Sequence, residues 1–156
     1  MIAIKSITHG DVSLSQVCKL IKNYIQDDID QNYEITIGTD SQNTSSTKAV
    51  IVIAIRRLGK GGIFFYDIRR VKKINNIKEK IYFETSLSLE IAQKLMTHLK
   101  IEELPCNLSI HIDIGKNGPT SRMIPEIVGW VKGCGFDCEI KPEATTASSI
   151  ANKFSK

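Results

Sequence analysis

Two short segments constrain this chain most, because each sets an aspartate directly after an apolar, β-type run. The first is Ile37-Gly38-Thr39-Asp40-Ser41-Gln42 and the second is His111-Ile112-Asp113-Ile114-Gly115. A carboxylate at the end of a buried strand is costly to desolvate unless a cation or another partner compensates its charge. Asp40 and Asp113 therefore predict a shared metal ion, although each could instead cap a turn or a helix independently.

The composition is that of an ordinary globular protein. The 156 residues carry a formal net charge of +4, with 42% hydrophobic and 24% charged residues, and a chain of this length buries a substantial core in one domain. We divide that domain into an N-terminal helical extension, residues 1–32, and a core, residues 33–156. No leader-like segment or membrane-length apolar run is evident, so we expect a cytoplasmic protein that makes no membrane contact.

The periodicity of the apolar residues predicts a helix, a three-stranded antiparallel meander, and then alternating helices and strands. Ser13 is placed to cap the first helix, which covers residues 13–27. The alternation in the second half favours parallel pairing, with the first and fourth strands adjacent, which would bring Asp40 and Asp113 together. The predicted elements after the first helix are strands at 33–39, 49–55 and 63–68, a basic connection at 69–80, a helix at 84–99, a strand at 108–114, a helix at 119–132, a strand at 136–140 and a helix at 144–154.

A third carboxylate, Glu84, completes the candidate acidic set. It extends the apolar stripe that begins at Leu87, so it faces the sheet from the predicted start of its helix. Glu90 is the alternative on the same helix, but it lies to the side of that stripe. Carboxylate oxygens suit Mg²⁺ or Mn²⁺, and two such ions about 4 Å apart support phosphoryl transfer.

Basic residues are concentrated in two places. Three flank one predicted turn and six crowd the connection at 69–80: Arg56, Arg57 and Lys60, then Arg69, Arg70, Lys72, Lys73, Lys78 and Lys80. A basic stretch beside metal-bound acids suits a polyanion such as a nucleic acid. The other interpretation is a solvated, charged loop.

The order of elements and four motifs together resemble the YkuK-type family, a bacterial group with a ribonuclease H-like fold. The motifs are Gly38 to Gln42, Glu84 with Glu90-Ile91-Ala92, His111 to Gly115, and Lys141-Pro142-Glu143-Ala144 continuing through 147–153. The resemblance covers about residues 33–156. It implies an α/β fold, in which a five-stranded mixed sheet with its first three strands antiparallel has helices on both faces.

The resemblance also implies roles for the acids. The first strand of that superfamily supplies an aspartate, here Asp40, the first core helix a glutamate, here Glu84, and the fourth strand a second aspartate, here Asp113. The final helix often supplies another aspartate, and the matching position is Asn152, which keeps one oxygen ligand but lacks the negative charge. Glu143 is a possible replacement ligand, and a second metal ion would be held less tightly.

Several neighbours could assist. Ser41 and Gln42 are placed to hydrogen-bond a sugar hydroxyl or a phosphate, or to serve as ordinary turn residues. Lys141 and Lys153 border the predicted site as candidate phosphate contacts. His111 shares a strand face with Asp113, which allows either proton transfer or a packing role.

Three functions remain compatible with these residues. The first is a Mg²⁺- or Mn²⁺-dependent nuclease that hydrolyses RNA, an RNA–DNA hybrid or branched DNA. The second is a nucleic-acid-binding module that keeps the fold without catalysis, which Asn152 favours. The third is a phosphate-handling enzyme of the actin–sugar kinase branch, with Gly38-Thr39-Asp40 and residues 114–118 as phosphate loops, but a domain of this size lacks the second lobe of such kinases.

Overall fold

The computed structural model describes residues 4–6, 10–100, 104, 106–115 and 118–141, and for residues 4–6, 10–12 and 141 it describes the backbone alone. Seven strands and three α-helices occur in these ranges. In chain order they are β1 (Ile4–Ser6), β2 (Gly10–Val12), α1 (Leu14–Gln26), β3 (Tyr33–Asn43), β4 (Ser46–Arg57), β5 (Gly62–Lys72), α2 (Ile77–Leu99), β6 (Cys106–Gly115), α3 (Ile124–Gly133) and β7 (Asp137–Lys141).

The strands form one sheet in the order β2-β1-β5-β4-β3-β6-β7. Antiparallel pairs join β3 to β4 and β4 to β5, whereas β6 pairs in parallel with both β3 and β7. This arrangement confirms the predicted five-stranded mixed core. The hairpin of β1 and β2 adds two strands beside β5; it was not predicted because three-residue strands are too short to show alternation.

The main core lies on one face of the sheet. Because side chains alternate across a strand, Ile35 and Ile37 of β3 and Ile51 of β4 share this face, and they pack with buried residues of all three helices. The opposite face carries a smaller apolar cluster around Val50 and Val52. The helix predicted at 144–154 lies outside the described residues, so a helical layer on this second face stays a prediction.

Helix α1 follows the sequence prediction closely. Ser13 Oγ accepts a hydrogen bond from Gln16 N at 3.2 Å, and Gln16 Oε1 accepts one from Ser13 N at 2.8 Å. This reciprocal capping box satisfies two backbone donors at the helix start. Near the other end, Arg57 of β4 donates from Nη2 to the carbonyl of Tyr24 at 2.9 Å and lies over the Tyr24 ring. The helix is therefore anchored to the sheet.

The hairpin of β3 and β4 is longer than predicted, and this changes the setting of Asp40. Strand β3 continues to Asn43, which pairs with Thr47, and only residues 44 and 45 form the turn. The expectation that the strand ends at Asp40 was therefore wrong. Polar residues such as Ser41 and Gln42 were interpreted as a link, but they occupy ordinary strand positions against β4.

Helix α2 begins at Ile77, not at residue 84, and its N-cap is Asn76, whose side chain accepts from Lys78 N and Glu79 N. The first turn, Ile77-Lys78-Glu79-Lys80, is mostly charged and hid the helix start in the sequence. The predicted connection at 69–80 is mostly the end of β5 and the first turn of α2. Glu84 consequently lies about two turns inside the helix, too far from its N-terminus for the helix dipole to stabilise the carboxylate.

A small hydrogen-bond network fixes the entry of α2. Thr47 Oγ1 donates to Asn43 Oδ1 at 2.7 Å and accepts from the backbone N–H of Ile74 at 2.8 Å. Asn43 Nδ2 in turn donates to the carbonyl of Ile74 at 2.7 Å. Because Thr47 is completely buried, these bonds tie the β3–β4 hairpin to the segment that leads into α2.

Replacing Thr47 by valine should lower the free energy of unfolding by about 1–3 kcal/mol, because the two hydrogen bonds of the buried Thr47 hydroxyl, each worth about 0.5–1.5 kcal/mol, are lost while the side-chain volume is kept. Urea denaturation measures the change. The matched control is Thr97→Val on the exposed surface of α2, which should cost no more than about 0.5 kcal/mol. Equal losses in the two variants would contradict the role assigned to the network.

Candidate functional site

Asp40 and Asp113 occupy equivalent positions on neighbouring parallel strands. The last paired residues of β3 and β6 are Gly38 and His111, and each aspartate lies two residues further along its strand. Since side chains two apart share a face, both carboxylates lie on the same face of the sheet, at the level where the two strands cease to pair. The parallel pairing thus brings together the two acids that the sequence singled out.

Glu84 approaches from α2, which runs antiparallel to β3 across the main core face. Two side-chain contacts fix this packing: the hydroxyls of Thr39 and Ser88 are 2.7 Å apart, and Ser41 Oγ donates to Glu84 Oε2 at 2.5 Å. Ser41 and Thr39 point towards α2, whereas Asp40, which lies between them in sequence, points to the other face. Glu84 therefore lies level with Asp40 but on the helix side of the sheet.

The three carboxyl groups interact electrostatically. Glu84 is only 7% exposed. Burial is the main reason that its pKa rises to about 8, and the charges of Asp40 and Asp113 push in the same direction. Burial also raises the pKa of Asp40, with a further contribution from Asp113, against hydrogen bonds from the Gln42 side chain and the Ser41 backbone. The site is therefore short of positive charge.

Lys80 is the cation that sequence reasoning did not assign to this site. It lies one helical turn before Glu84, and its charge lowers the pKa values of both Asp40 and Glu84. The signal was present in the sequence, because Lys80 and Glu84 are four residues apart and so share a helix face. It was missed because residues 69–80 were interpreted as a loop.

The donor set fits a hard divalent cation in its chemistry. Asp40, Asp113 and Glu84 offer carboxylate oxygens, and a positive ion would replace the proton that mutual repulsion and burial retain on Glu84. The ranges that the structure describes contain no group of three or more His, Cys, Asp or Glu side chains that is already arranged to hold a metal. Glu84 is instead engaged with Ser41.

The alternative glutamate, Glu90, has a different environment. Its Oε2 lies 2.7 Å from Nη1 of Arg69, and its Oε1 lies 3.7 Å from Nζ of Lys94. Although partial burial opposes the change, the hydrogen bond from Arg69 lowers the pKa of Glu90. Glu90 thus belongs to an ion-pair cluster with β5, and Glu84 is the glutamate whose pKa the two aspartates raise.

His111 is buried, and its Nδ1 has no hydrogen-bond partner within the described part of the chain. Burial lowers the pKa of this imidazole, while Glu34 raises it and Arg56 lowers it. The charged groups that influence His111 therefore lie towards the start of β3 and not among the three carboxyl groups. This environment is that of a neutral, packed histidine.

Some of the remaining candidate site residues lie outside the described ranges. Ser41 is completely buried against Glu84, whereas Gln42 is half-buried and bonded to Asp40. The backbone of Lys141 ends β7, where it pairs with Gly115. Glu143, Asn152 and Lys153 lie outside the described residues, so their predicted roles as ligands or phosphate contacts stay predictions.

A mixed core sheet with aspartates on its first and fourth strands and a glutamate on the intervening helix is the arrangement of ribonuclease H-like proteins. A family model described as "Ribonuclease H-like" matches residues 16–156. The Bacillus subtilis (strain 168) protein "Uncharacterized protein YkuK" is 31% identical over 164 residues, which cover 97% of this chain and 95% of that protein. The chain therefore belongs to the ribonuclease H-like family, as a YkuK-type member.

One solved structure, "Structure of Mos1 transposase catalytic domain and Raltegravir with Mg", aligns with 88% of this chain and 63% of its own length. The TM-score is 0.33 at 8% identity, a likeness too weak to add to the assignment. Among the described residues, no helix has the length and apolar character needed to cross a membrane.

The raised pKa of Glu84 predicts a pH-dependent stability in the absence of divalent metal. Between an ordinary glutamate value of 4.5 and the folded value of about 8, the unfolded chain releases a proton that the folded chain keeps. The free energy of unfolding should therefore fall with rising pH, by up to about 1.4 kcal/mol per pH unit relative to Glu84→Gln, and level off above pH 8.

Urea denaturation in the presence of a chelator, repeated across this pH range, measures the difference between the wild type and Glu84→Gln. Glu90→Gln is the matched control, because Glu90 is an ion-paired carboxylate on the same helix. Parallel pH profiles for the wild type and Glu84→Gln would contradict the protonated state assigned to Glu84.

Proposed function

We propose that this protein is a Mg²⁺- or Mn²⁺-dependent nuclease that hydrolyses phosphodiester bonds in RNA, an RNA–DNA hybrid or branched DNA. One observation carries the proposal: Asp40 and Asp113 occupy equivalent positions beyond the last pair of β3 and β6, and both raise the pKa of Glu84. Carboxylates that repel one another where two parallel strands cease to pair are stabilised by a cation. Membership of the ribonuclease H-like family supports a nuclease fold.

In this proposal Asp40, Asp113 and Glu84 would hold the metal, and its chemistry when bound would be to activate a water molecule and to stabilise charge on the leaving oxygen. Two neighbouring side chains hold the ligand carboxyl groups in place. The Gln42 side chain holds the Asp40 carboxylate through a hydrogen bond. Ser41 restricts the Glu84 carboxyl group by donating to Oε2, and Glu84 must release its proton before it can bind a cation.

Lys80 supports the same reaction by electrostatics. Its charge favours the ionised forms of Asp40 and Glu84, so it makes the proton of Glu84 easier to release. Because Lys80 lies one turn before Glu84 on the same helix face, its ammonium group is also suited to donate a hydrogen bond to a phosphate oxygen. Lys141 and Lys153 remain proposed phosphate contacts.

A non-catalytic nucleic-acid-binding module is the second candidate, and one observation favours it. Within the residues described, the three carboxylates do not form a closed metal-binding group, since Glu84 is buried on the helix side and bonded to Ser41. Asn152, with its missing charge, favours the same alternative. For the kinase-type alternative no such observation exists, and part of its second phosphate loop, residues 116 and 117, lies outside the described ranges.

Asp40→Asn and Asp113→Asn should each reduce Mn²⁺-dependent cleavage by at least about 100-fold, because an amide supplies one neutral oxygen in place of a charged ligand. Glu84→Gln should have a similar effect. Glu90→Gln is the matched control and should cleave at nearly the wild-type rate. Labelled single-stranded, duplex, hybrid and junction substrates, each with Mn²⁺ and with a chelator, provide the measurement.

Circular dichroism and thermal denaturation check that the variants fold. Undiminished cleavage by both aspartate variants would show that the metal centre is assigned to the wrong residues. Salt-dependent binding of nucleic acid by the wild type, without cleavage at any metal concentration, would instead establish the binding module.

A further inference from the structure

Three polar side chains on the second face of the sheet are buried without a hydrogen-bond partner. They are Thr36 of β3 and Ser109 and His111 of β6, with relative exposures of 0%, 7% and 5%. Within the part of the chain that the structure describes, no hydrogen bond reaches Thr36 Oγ1, Ser109 Oγ or His111 Nδ1. Burying a polar group costs free energy unless it finds a partner, so three such groups together point to a bound ligand.

The strand register places the three side chains next to one another. Thr36 pairs directly with Ser109, and Gly38, two residues further along β3, pairs with His111. Directly paired residues and residues two apart share a face, so the three groups adjoin the position of Gly38, which contributes no side chain. Thr36, Ser109 and His111 are here called the polar cluster.

The charges that act on His111 indicate the direction of its ring. Glu34 and Arg56 both influence the pKa of His111, and they pair with each other near the start of β3. Thr36 lies two residues after Glu34 and shares its face of the sheet. The imidazole is therefore directed to the side of the cluster where the two hydroxyls lie.

The spacing of the polar cluster suits a single water molecule. Neighbouring strands lie about 4.8 Å apart, and residues two apart on one strand are separated by about 7 Å. A water that makes two hydrogen bonds of about 2.8 Å joins groups up to about 5.6 Å apart. It can thus link Thr36 to Ser109 across the strands, while the longer His111 side chain supplies a third contact. Three hydrogen bonds are typical of a buried water.

The chemistry of the cluster also favours water over an ion. Each hydroxyl can donate and accept, and the imidazole nitrogen does one or the other according to its tautomer. Two hydroxyls and a neutral imidazole carry no formal charge, so they give an ion no electrostatic reason to leave bulk water. A small neutral molecule that both donates and accepts satisfies all three groups.

The flanking strands place the cluster at the border of the covered part of this face. On the β4 side, Val52 pairs with Gly38 and Ala54 pairs with Thr36, and both are buried. On the β7 side, Asp137 pairs with Ser109 and Glu139 pairs with His111, and both are exposed. A water molecule therefore has polar, solvated neighbours on one side and an apolar wall on the other.

We propose that Thr36, Ser109 and His111 bind an ordered water molecule between β3 and β6 on the second face of the sheet. This water joins the two strands at their last pair, Gly38 with His111, immediately before the segments that carry Asp40 and Asp113. It thereby helps to hold the strands in the register that makes the two aspartates level. The inference concerns the folded protein without metal, so it does not depend on the proposed nuclease function.

The direct test is a crystal structure at a resolution that shows ordered water, for the wild type and for Thr36→Val. In the wild type we expect a water oxygen within about 3.2 Å of at least two of the three polar atoms. In the variant this water should be lost or shifted towards Ser109 and His111. A dry cluster in the wild type, or another side chain of the protein bonded to these atoms in place of water, would overturn the proposal.

Urea denaturation of Thr36→Val gives an independent test, because the sign of its effect depends on the water. If the water is bound, the variant should lower the equilibrium constant for folding by about 2- to 10-fold, since valine keeps the volume but cannot hydrogen-bond. If the hydroxyl has no partner, an apolar side chain of the same shape removes the cost of burying it, and the constant should rise.

Thr39→Val is the matched control on the same strand. The Thr39 hydroxyl is also buried, but it lies on the helix face, 2.7 Å from Ser88 Oγ. Its removal shows the loss expected for a threonine whose partner is known. A lower folding constant in both variants supports the bound water. An unchanged or higher constant for Thr36→Val, beside a lower one for Thr39→Val, would show that the polar cluster binds none.

Discussion

Mutual repulsion among three carboxyl groups is the constraint on which the site depends. Asp40 and Asp113 are brought level by the parallel pairing of β3 and β6, and Glu84 is carried to them by α2. Burial raises the pKa values of Asp40 and Glu84, the charge of Asp113 raises both further, and the charge of Asp40 adds to the effect on Glu84. A fold that accepts this cost needs either protons or cations at the site.

Neighbouring side chains partly offset the cost of placing these carboxyl groups together. Ser41 holds Glu84 through its hydroxyl, the Gln42 side chain holds Asp40, and Lys80 favours the ionised form of both acids. The network of Asn43, Thr47 and Ile74 then fixes where α2 begins. These contacts order the ligands while Glu84 still retains its proton, which is the state expected of a site that exchanges a proton for a metal ion.

The architecture was largely predictable because its main elements have strong periodicity. Alternating or continuous apolar runs marked the core strands, and the Leu87 stripe marked α2. The alternation of later helices and strands predicted that Asp40 and Asp113 would meet. Boundaries were less predictable. Polar strand residues such as Ser41 were interpreted as a turn, since cross-strand pairing with β4 leaves no mark in the local sequence.

Features that depend on register or on tertiary environment could not be predicted. Lys80 was assigned to a loop because the first turn of α2, residues 77–80, is mostly charged. The choice of Glu84 over Glu90 as the site residue was predicted from the helix face alone. The structure adds the physical reason: Glu84 is buried near two aspartates, whereas Glu90 forms an ion pair with Arg69.

The most direct test of the central claim is a crystal structure of the protein soaked in Mn²⁺, with anomalous scattering used to locate the metal. We expect an ion bound by carboxylate oxygens of Asp40 and Asp113, with Glu84 as a further ligand. We also expect that Asp40→Asn crystals lose the anomalous peak. Manganese bound elsewhere, or no peak at these residues while the site is accessible to solvent, would contradict the account.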